Sequence, residues 1–174
     1  LDLIRMELAA QVYRRESVDV EVKVRPEAMV VGAGPAGLSA ACSLARLGFA
    51  VHLLERGLSP GGMLNLISHV YPTDEKASEK IKGYMDEMWK NPLIHFHTKA
   101  RITSIKGFAG DFKVRLTSAE GIRRLRVGAV ILASGARVWL PHGLYRYGKV
   151  KNAITQMELE RQLIKGPREI SMAV

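Results

Sequence analysis

The stretch Ala28-Met29-Val30-Val31-Gly32-Ala33-Gly34-Pro35-Ala36-Gly37 joins a short apolar run to a G-x-G-x-x-G pattern. An all-apolar run of this length is typical of a strand buried on both faces of a parallel sheet. A helix is predicted from Pro35 to Leu47, and Gly48 after it is a usual helix stop. The glycine pattern alone is a weak signal. With a predicted strand before it and a predicted helix after it, the pattern indicates a dinucleotide-binding turn.

Each glycine of the pattern has a predicted physical role. Gly32 permits the tight turn, Gly34 lets the backbone approach a pyrophosphate, and Gly37 lets helix and strand pack closely. The first helical turn, which begins at Pro35 and Ala36, exposes N–H groups at the positive end of the helix dipole and so favours an anion. A side chain at Gly34 would occupy the space that the phosphates need. The alternative interpretation is that these small residues serve close packing alone.

An acidic residue follows the second predicted strand at the distance that this kind of turn requires. The strand is predicted at Ala50–Leu54, and Glu55 stands at its tip. A carboxylate at this position accepts hydrogen bonds from the hydroxyl groups of a ribose. It would also repel a 2′-phosphate, so NADP is disfavoured at this site.

The rest of the chain completes the order of a nucleotide-binding sheet. Beyond the elements already given, we predict a helix at Glu75–Lys90, strands at Ile94–Thr98 and Val127–Ala133, and three short alternating segments at Lys99–Ile105, Asp111–Thr117 and Arg123–Arg126. The order predicts an α/β fold, a Rossmann-type parallel sheet with a three-stranded β-meander as one crossover. We expect a lead-in helix and extended segment at 1–26 that packs on the domain edge, a nucleotide-binding domain at 27–165, and the start of a following domain at 166–174.

Composition excludes several classes of protein. Apolar residues make up 47% and charged residues 25%, as in ordinary soluble globular proteins. The one cysteine, Cys42, excludes an internal disulfide or a cysteine-held iron–sulfur cluster within these residues, and we expect it to be buried. No charged-then-apolar leader opens the chain, so a cytoplasmic protein is predicted. Residues 28–45 carry no charge, but glycines divide them into strand, turn and helix, so we predict no membrane span.

The net charge of +9 is unevenly spread. Between Glu120 and Asn152 the only acidic residue is Glu120, and the basic residues there are Arg123, Arg124, Arg126, Arg137, Arg146, Lys149 and Lys151. A basic face could meet nucleic acid, an acidic protein partner or the diphosphate of a cofactor. No aromatic-interleaved or groove-entering motif accompanies the charge, so a solvated surface without nucleic acid is the preferred interpretation.

Two histidines are candidates for metal binding. His95 and His97 alternate in a predicted strand, so they would point to one face and could chelate a metal ion. The sequence shows no third ligand, so we predict a surface or packing role and no metal site.

Further motifs give a family resemblance. Glu55-Arg56 is followed by Gly61-Gly62, and the last strand ends in Ala133-Ser134-Gly135-Ala136. The pattern resembles the two-dinucleotide-binding-domain flavoproteins, the thioredoxin and glutathione reductase class. The resemblance implies FAD as cofactor, Gly61-Gly62 near its phosphate and ribityl region, and the backbone at Ile102 beside adenine. It also implies that the turn Ala133-Ser134-Gly135 approaches from the far side, with Ser134 in place of the usual threonine. By their position alone, Met63 and Asn65 are expected near the flavin ring.

The chain is also similar, over nearly its whole length, to the A subunit of heterodisulfide reductase. The motifs that carry this likeness are Gly61–Asn65, Asn91–Ile94, Gly107–Phe112 and Ile154–Glu160. The resemblance implies a cytoplasmic FAD-dependent oxidoreductase that passes electrons between partner iron–sulfur subunits, with an oligomer possible. The FAD-binding domain at 27–165 would be incomplete, since the later segment that closes the FAD pocket is absent, and the fragment alone is expected to be inactive. No catalytic residue is assigned.

Two other functions remain open at this point. One is a pyridine-nucleotide-linked reductase of the same superfamily, and a second glycine-rich strand, turn and helix would favour it. The other is a non-catalytic truncated module that serves as an assembly surface, with the basic region at 123–151 against an acidic partner. A purified protein that is colourless and takes up no FAD even at full length would favour the module.

Overall fold

The computed structural model describes residues 2–12 and 23–166. The helices are α1 (Asp2–Val12), α2 (Pro35–Arg46), α3 (Ala77–Lys90) and α4 (Gln156–Ile164), and a 3-10 helix spans Gly62–Leu66. The strands are β1 (Glu27–Val31), β2 (Ala50–Leu54), β3 (His69–Val70), β4 (Glu75–Lys76), β5 (Ile94–His97), β6 (Arg101–Phe108), β7 (Asp111–Ser118), β8 (Gly121–Val127) and β9 (Ala129–Leu132). Most of the extended segment predicted within 1–26, and nearly all of 166–174, lie outside the described residues.

Four strands form a parallel sheet in the order β5-β2-β1-β9. Val31 lies opposite Leu54 on one side and opposite Leu132 on the other, and Leu54 lies opposite His97. Helix α2 connects β1 to β2, helix α3 lies between β2 and β5, and the three antiparallel strands β6-β7-β8 lie between β5 and β9. The predicted Rossmann-type sheet with a meander crossover is therefore confirmed. All four strands end at the same edge, where the loops that follow them meet.

One face of this sheet is covered by helices. The apolar side of α2 packs on alternate residues of the strands, because its small and branched residues recur at helical spacing. The buried members of this cluster are Val30, Ala33, Leu38, Ala41, Cys42, Ala45, Val51, Leu53, Met88 and Ile94. Burial, followed by the nearby Glu87 carboxylate, raises the pKa of the Cys42 thiol. Cys42 is thus a buried structural residue, as predicted.

The other face is covered by the meander. Alternation along β7 turns Val114 and Leu116 inward and Lys113 and Arg115 outward, so one side of the meander is apolar. The inward residues join the opposite side chains of the main sheet in a second cluster of Met29, Leu54, Ala100, Val114, Leu116 and Val127. The main sheet is thus buried on both faces, which explains the continuous apolar runs of its strands.

Several boundaries differ from the sequence prediction. The first meander strand runs over Arg101–Phe108 and not Lys99–Ile105, and the third runs over Gly121–Val127 and not Arg123–Arg126. Two further differences have a clear physical cause. Val127 belongs to the meander, where it lies opposite Phe112, and the last parallel strand begins only at Ala129. Gly128 lies between them, and a Cβ there would lie 2.2 Å from the carbonyl oxygen of Arg25. Helix α3 begins two residues later than predicted because Glu75–Lys76 pairs with His69–Val70 in a short antiparallel ladder.

Helix α1 forms within the lead-in predicted at 1–26, and Leu3, Ile4 and Leu8 on it are exposed. The packing of the whole lead-in on the domain edge stays a prediction. Among the helices of the described residues, none combines the length and the apolar character that crossing a bilayer requires.

Candidate functional site

The glycine turn lies at the carboxyl edge of the parallel sheet, directly after β1. Gly32 has φ of +107° and donates its N–H to the carbonyl of Leu54 at 2.8 Å. A Cβ on Gly32 would lie 2.3 Å from the carbonyl oxygen of Ala133. Both its conformation and its surroundings therefore require glycine at this position.

The other two glycines of the pattern have opposite surroundings. A Cβ on Gly37 would lie 1.8 Å from the carbonyl oxygen of Gly32, because α2 crosses the end of β1 at this point. A Cβ on Gly34 would meet no atom within 4 Å, and the φ of Gly34, −75°, suits any residue. Close contacts within the protein therefore explain why glycine is required at positions 32 and 37. No such contact requires it at Gly34, which faces open space.

The amino terminus of α2 opens onto that space. Leu38 donates the first helical hydrogen bond, to the carbonyl of Gly34 at 2.9 Å, so the amides of Ala36 and Gly37 have no acceptor within the helix. Pro35 occupies the first helical position, where its missing N–H costs nothing, and no side chain caps this end. Unpaired amides at the positive end of a helix dipole form a site for an anion.

A carboxylate is fixed beside this turn. Oε2 of Glu55 accepts the N–H of Ala33 at 3.1 Å, and Oε1 accepts the N–H of Gly57 at 2.7 Å. The backbone N–H of Glu55 in turn bonds the carbonyl of His97 at 2.9 Å, which ties the residue to the end of β5. Each carboxylate oxygen retains a free lone pair, so Glu55 can still accept a hydrogen bond from a ligand.

A cavity of about 270 Å³ lies next to this carboxylate. Its lining is Val31, Gly32, Leu54, Glu55, Arg56, Ala100, Arg101, Ile102 and Ser134. The fold therefore brings together Glu55 and Arg56, Ile102, and Ser134 from three distant parts of the sequence. Arg101 was not predicted, although its place next to Ile102 at the start of the meander could have indicated it.

The second glycine pair packs directly on the first turn. Gly61 donates its N–H to the carbonyl of Ala33 at 2.7 Å, and a Cβ on Gly62 would lie 3.0 Å from Cα of Gly34. Both residues have positive φ, +112° and +52°, which favours glycine. Met63 follows in the 3-10 helix with 38% of its surface exposed. The Gly-Gly loop thus forms one wall beside the open space at Gly34.

The loop after β9 reaches the same edge from the other side. Ala133 donates to the carbonyl of Val31 at 2.8 Å, and Ser134 and Gly135 follow, with φ of +68° at Gly135. All the sequence-predicted site residues therefore lie around the carboxyl ends of neighbouring parallel strands, where open α/β sheets bind their ligands.

Helix α4 is held by polar contacts that explain part of the run Ile154–Glu160. Thr155 and Glu158 form a capping box: the Thr155 Oγ1 accepts the Glu158 N–H at 3.3 Å, and Glu158 accepts the Thr155 N–H at 2.7 Å. Glu160 accepts the backbone N–H of Ser68 at 2.9 Å, which ties α4 to the segment after the 3-10 helix. This run therefore positions the wall that includes the Gly-Gly loop.

Three histidines cluster on the face of the main sheet that the meander covers. His95 and His97 share one face, as predicted, and His52 of the neighbouring strand joins them. The His52 ring stacks on that of His95 at 5.2 Å, and its Nδ1 lies 3.2 Å from Nε2 of His97. Burial, followed by the neighbouring His52 and Arg123, lowers the pKa of His97 to about 4. Across residues 2–12 and 23–166 no group of three or more His, Cys, Asp or Glu side chains is arranged to hold a metal ion.

Comparison with known proteins agrees with this geometry. A family model described as pyridine nucleotide-disulphide oxidoreductase matches residues 26–169. The chain belongs to this family. As an oxidoreductase domain of this kind, it is similar over 116 residues, at 35% identity, to the A subunit of ferredoxin:CoB-CoM heterodisulfide reductase of Methanosarcina mazei. It is also 31% identical over 115 residues to the second iron-sulfur A subunit of CoB–CoM heterodisulfide reductase of Methanopyrus kandleri.

These matches cover 67% and 66% of this chain but only 15% and 18% of the two relatives, so the chain spans less than a fifth of their length. The resemblance to the A subunit of heterodisulfide reductase is confirmed at this level. Among solved structures, thioredoxin reductase of Lactococcus lactis is 25% identical, with a TM-score of 0.55 and coverage of 70% of this chain and 40% of that one. This likeness confirms the predicted fold of the oxidoreductase domain.

Proposed function

We propose that this chain is the FAD-binding domain of a cytoplasmic oxidoreductase similar to the A subunit of heterodisulfide reductase. In this proposal the complete protein passes electrons through FAD to partner iron–sulfur subunits. The similarity to relatives named as subunits of ferredoxin-linked and iron–sulfur heterodisulfide reductases supports it. The family match over 26–169 supports a flavin as the cofactor.

The observation that carries the proposal is the open space at Gly34. A helix amino terminus with unpaired amides faces this space, and the Glu55 carboxylate is fixed beside it by two backbone N–H groups. These are the chemical groups that an adenosine diphosphate moiety needs: donors for the diphosphate and an acceptor for the ribose hydroxyls. The residues present therefore fit the ADP half of FAD.

The remaining predicted residues have supporting roles in this proposal. Gly61 and Gly62 would let the backbone approach the phosphate and ribityl region, and the backbone of Ile102 would lie beside adenine. Arg56, Met63 and the turn Ala133-Ser134-Gly135 would complete the site. Bound FAD supplies the electron-transfer chemistry, and the protein binds and orients it.

The first test is a titration of the purified full-length protein with FAD. Gly34→Val should weaken FAD binding by at least about 100-fold, because the new side chain fills the space of the diphosphate and blocks charge-assisted hydrogen bonds from the amides. Glu55→Ala should weaken it by about tenfold, since the diphosphate contacts remain. Quenching of flavin fluorescence measures both affinities.

Gly83→Ala is the matched control. Gly83 also has no atom within 4 Å of its added Cβ, but it lies in the middle of α3, away from the site, so its FAD affinity should equal that of wild type. Equal affinities for wild type and Gly34→Val would contradict the assignment. Tighter binding of NAD than of FAD would favour the pyridine-nucleotide-linked alternative, and no uptake of FAD even by the full-length protein would favour the non-catalytic module.

A further inference from the structure

The outer face of the meander, turned away from the main sheet, carries a compact group of positive charges. In the antiparallel register, Lys106, Lys113 and Arg126 form one cross-strand row, and Arg115 and Arg124 lie opposite each other in the next. We call these five residues the basic meander face. Neighbouring strands lie about 4.8 Å apart and alternate residues about 6.8 Å apart along a strand, so the five charges share a patch about 10 Å wide.

Among the described residues, Arg126 is the one member of this group that is paired with an acidic side chain. Asp111 pairs with Arg126, through Oδ1 and Nε at 3.0 Å, and with Arg25 at 3.4 Å. For Lys106, Lys113, Arg115 and Arg124 there is no salt bridge to any acidic side chain in the described ranges 2–12 and 23–166. The pairing that the Arg123 guanidinium makes with Glu120 lies outside this face.

The arrangement does not serve the fold. Like charges directly opposite each other on neighbouring strands destabilise a sheet. Arg115 lies opposite Arg124, and Lys113 lies opposite Arg126 on one side and Lys106 on the other. The apolar contacts of the meander are all made by its other side, through residues such as Val114 and Leu116. A repulsive cluster on a face that needs no packing indicates a surface for a negatively charged ligand.

The face is also shaped for contact. The five residues of the basic meander face, together with Ser104, Val114 and Leu125, border a trough of about 510 Å³. Carboxylates one turn apart on a helix have Cβ atoms about 5–6 Å apart, close to the spacing between neighbouring strands. Arginine also presents a planar fork that binds a carboxylate through two hydrogen bonds. The spacing and the side-chain chemistry therefore match an acidic protein surface.

We propose that the basic meander face docks the acidic surface of a partner protein. Nucleic acid fits less well, because single strands bind to aromatic platforms among the cations, and within the described residues this face offers only Phe108, at its margin. The inference rests on the charges of the meander and does not depend on the proposed FAD site, which lies at the carboxyl edge of the main sheet.

The test compares two double variants that each remove two positive charges. Arg115→Gln with Arg124→Gln changes the basic meander face, and Lys82→Gln with Lys90→Gln changes exposed lysines on α3. The probe is a fluorescein-labelled poly-glutamate peptide, titrated with the 174-residue chain and followed by fluorescence anisotropy. The meander variant should bind the peptide about tenfold more weakly and with a smaller dependence on salt, and the α3 variant should change by less than about twofold.

Because the whole chain carries +9, the matched pair separates a defined face from net charge. Equal losses in both variants, or no loss in the meander variant, would overturn the proposal. Tighter binding of a single-stranded oligothymidylate of equal charge than of the peptide would also overturn it, in favour of nucleic acid.

Thermal melting gives a second readout: the meander variant should melt at the wild-type temperature or about 1–3 °C above it, because a repulsion is removed. A clear decrease would show that the arginines stabilise the fold, against the proposal.

Discussion

The two faces of the main sheet are buried in different ways. Helices α2 and α3 cover one face with apolar side chains, and α2 approaches β1 so closely that Gly37 lies against the carbonyl of Gly32. The meander covers the other face, and there His52 and His97 share the space with Met29 and Leu54. On the helix-covered face, an added side chain at the glycine turn should therefore lower the stability of the fold. On the meander-covered face, buried histidines should make the stability depend on pH.

The largest expected effect is that of a side chain at Gly37. Its Cβ would lie 1.8 Å from the carbonyl oxygen of Gly32, and backbone atoms cannot move away without separating α2 from β1. Gly37→Val should lower the free energy of unfolding by more than about 4 kcal/mol, enough to unfold many domains. Urea denaturation followed by circular dichroism measures it. Gly83→Ala in α3 is the control and should stabilise by about 0.5–1 kcal/mol. A Gly37→Val midpoint within error of wild type would refute the close approach.

A second experiment compares equal truncations on the two faces. Leu38 on α2 and Leu116 on β7 are both fully buried, one in each cluster. Leu38→Ala and Leu116→Ala should each cost about 3 kcal/mol in the free energy of unfolding, because each removes the same apolar volume from a packed core. Denaturation midpoints give the two values. A much smaller loss for Leu116→Ala would show that the meander is a loosely attached layer, contrary to the packing described above.

The sequence was sufficient for the features that depend on local pattern. The glycine turn, the helix after it and the acid at the tip of β2 lie within one strand–turn–helix–strand unit, so their relation is set by residues close in sequence. The alternation of the meander strands was also visible, because a period of two needs only a few residues.

Features that depend on the register between distant strands could not be predicted. His52 joins His95 and His97 only because β2 and β5 pair with His52 opposite His95. The ladder between His69–Val70 and Glu75–Lys76 was missed because each of its strands is only two residues long, too short to show an alternating pattern. Likewise, each basic residue of the meander was visible in the sequence, but their meeting on one face depends on how its three strands pair.

The histidines of the meander face predict a dependence of stability on pH. An unfolded histidine has a pKa near 6.5, whereas burial and the neighbouring His52 hold the pKa of His97 at about 4. Between these values the unfolded chain binds a proton that the folded chain does not. The free energy of unfolding should therefore fall by about 2–3 kcal/mol as the pH decreases from 6.5 to 4, and the full contribution of His97 is present above pH 6.5.

Variants at two histidines isolate this effect. His97→Leu should remove most of the decrease measured by urea denaturation at pH 7 and pH 4.5, and His142→Asn, at an exposed histidine, should leave it unchanged. If His97→Leu kept the wild-type slope, other groups would be the source of the pH dependence, among them His52, whose pKa is also lowered by burial.

The smallest expected change in stability is at Gly34. This residue lies only three positions before Gly37, where an added side chain should have the largest effect. Gly34→Ala places a methyl group where no protein atom lies within 4 Å, at a backbone conformation that alanine adopts freely. Two small effects oppose each other. Alanine lowers the entropy of the unfolded chain, which stabilises by about 0.4–1 kcal/mol, and it is a poorer residue than glycine at a helix N-cap, which destabilises by a similar amount. The free energy of unfolding should therefore stay within about 0.5 kcal/mol of wild type, as urea denaturation can show. A large loss at Gly34 would mean that the space beside it belongs to the packing of the protein, and the difference between Gly34 and Gly37 on which the ligand site rests would disappear.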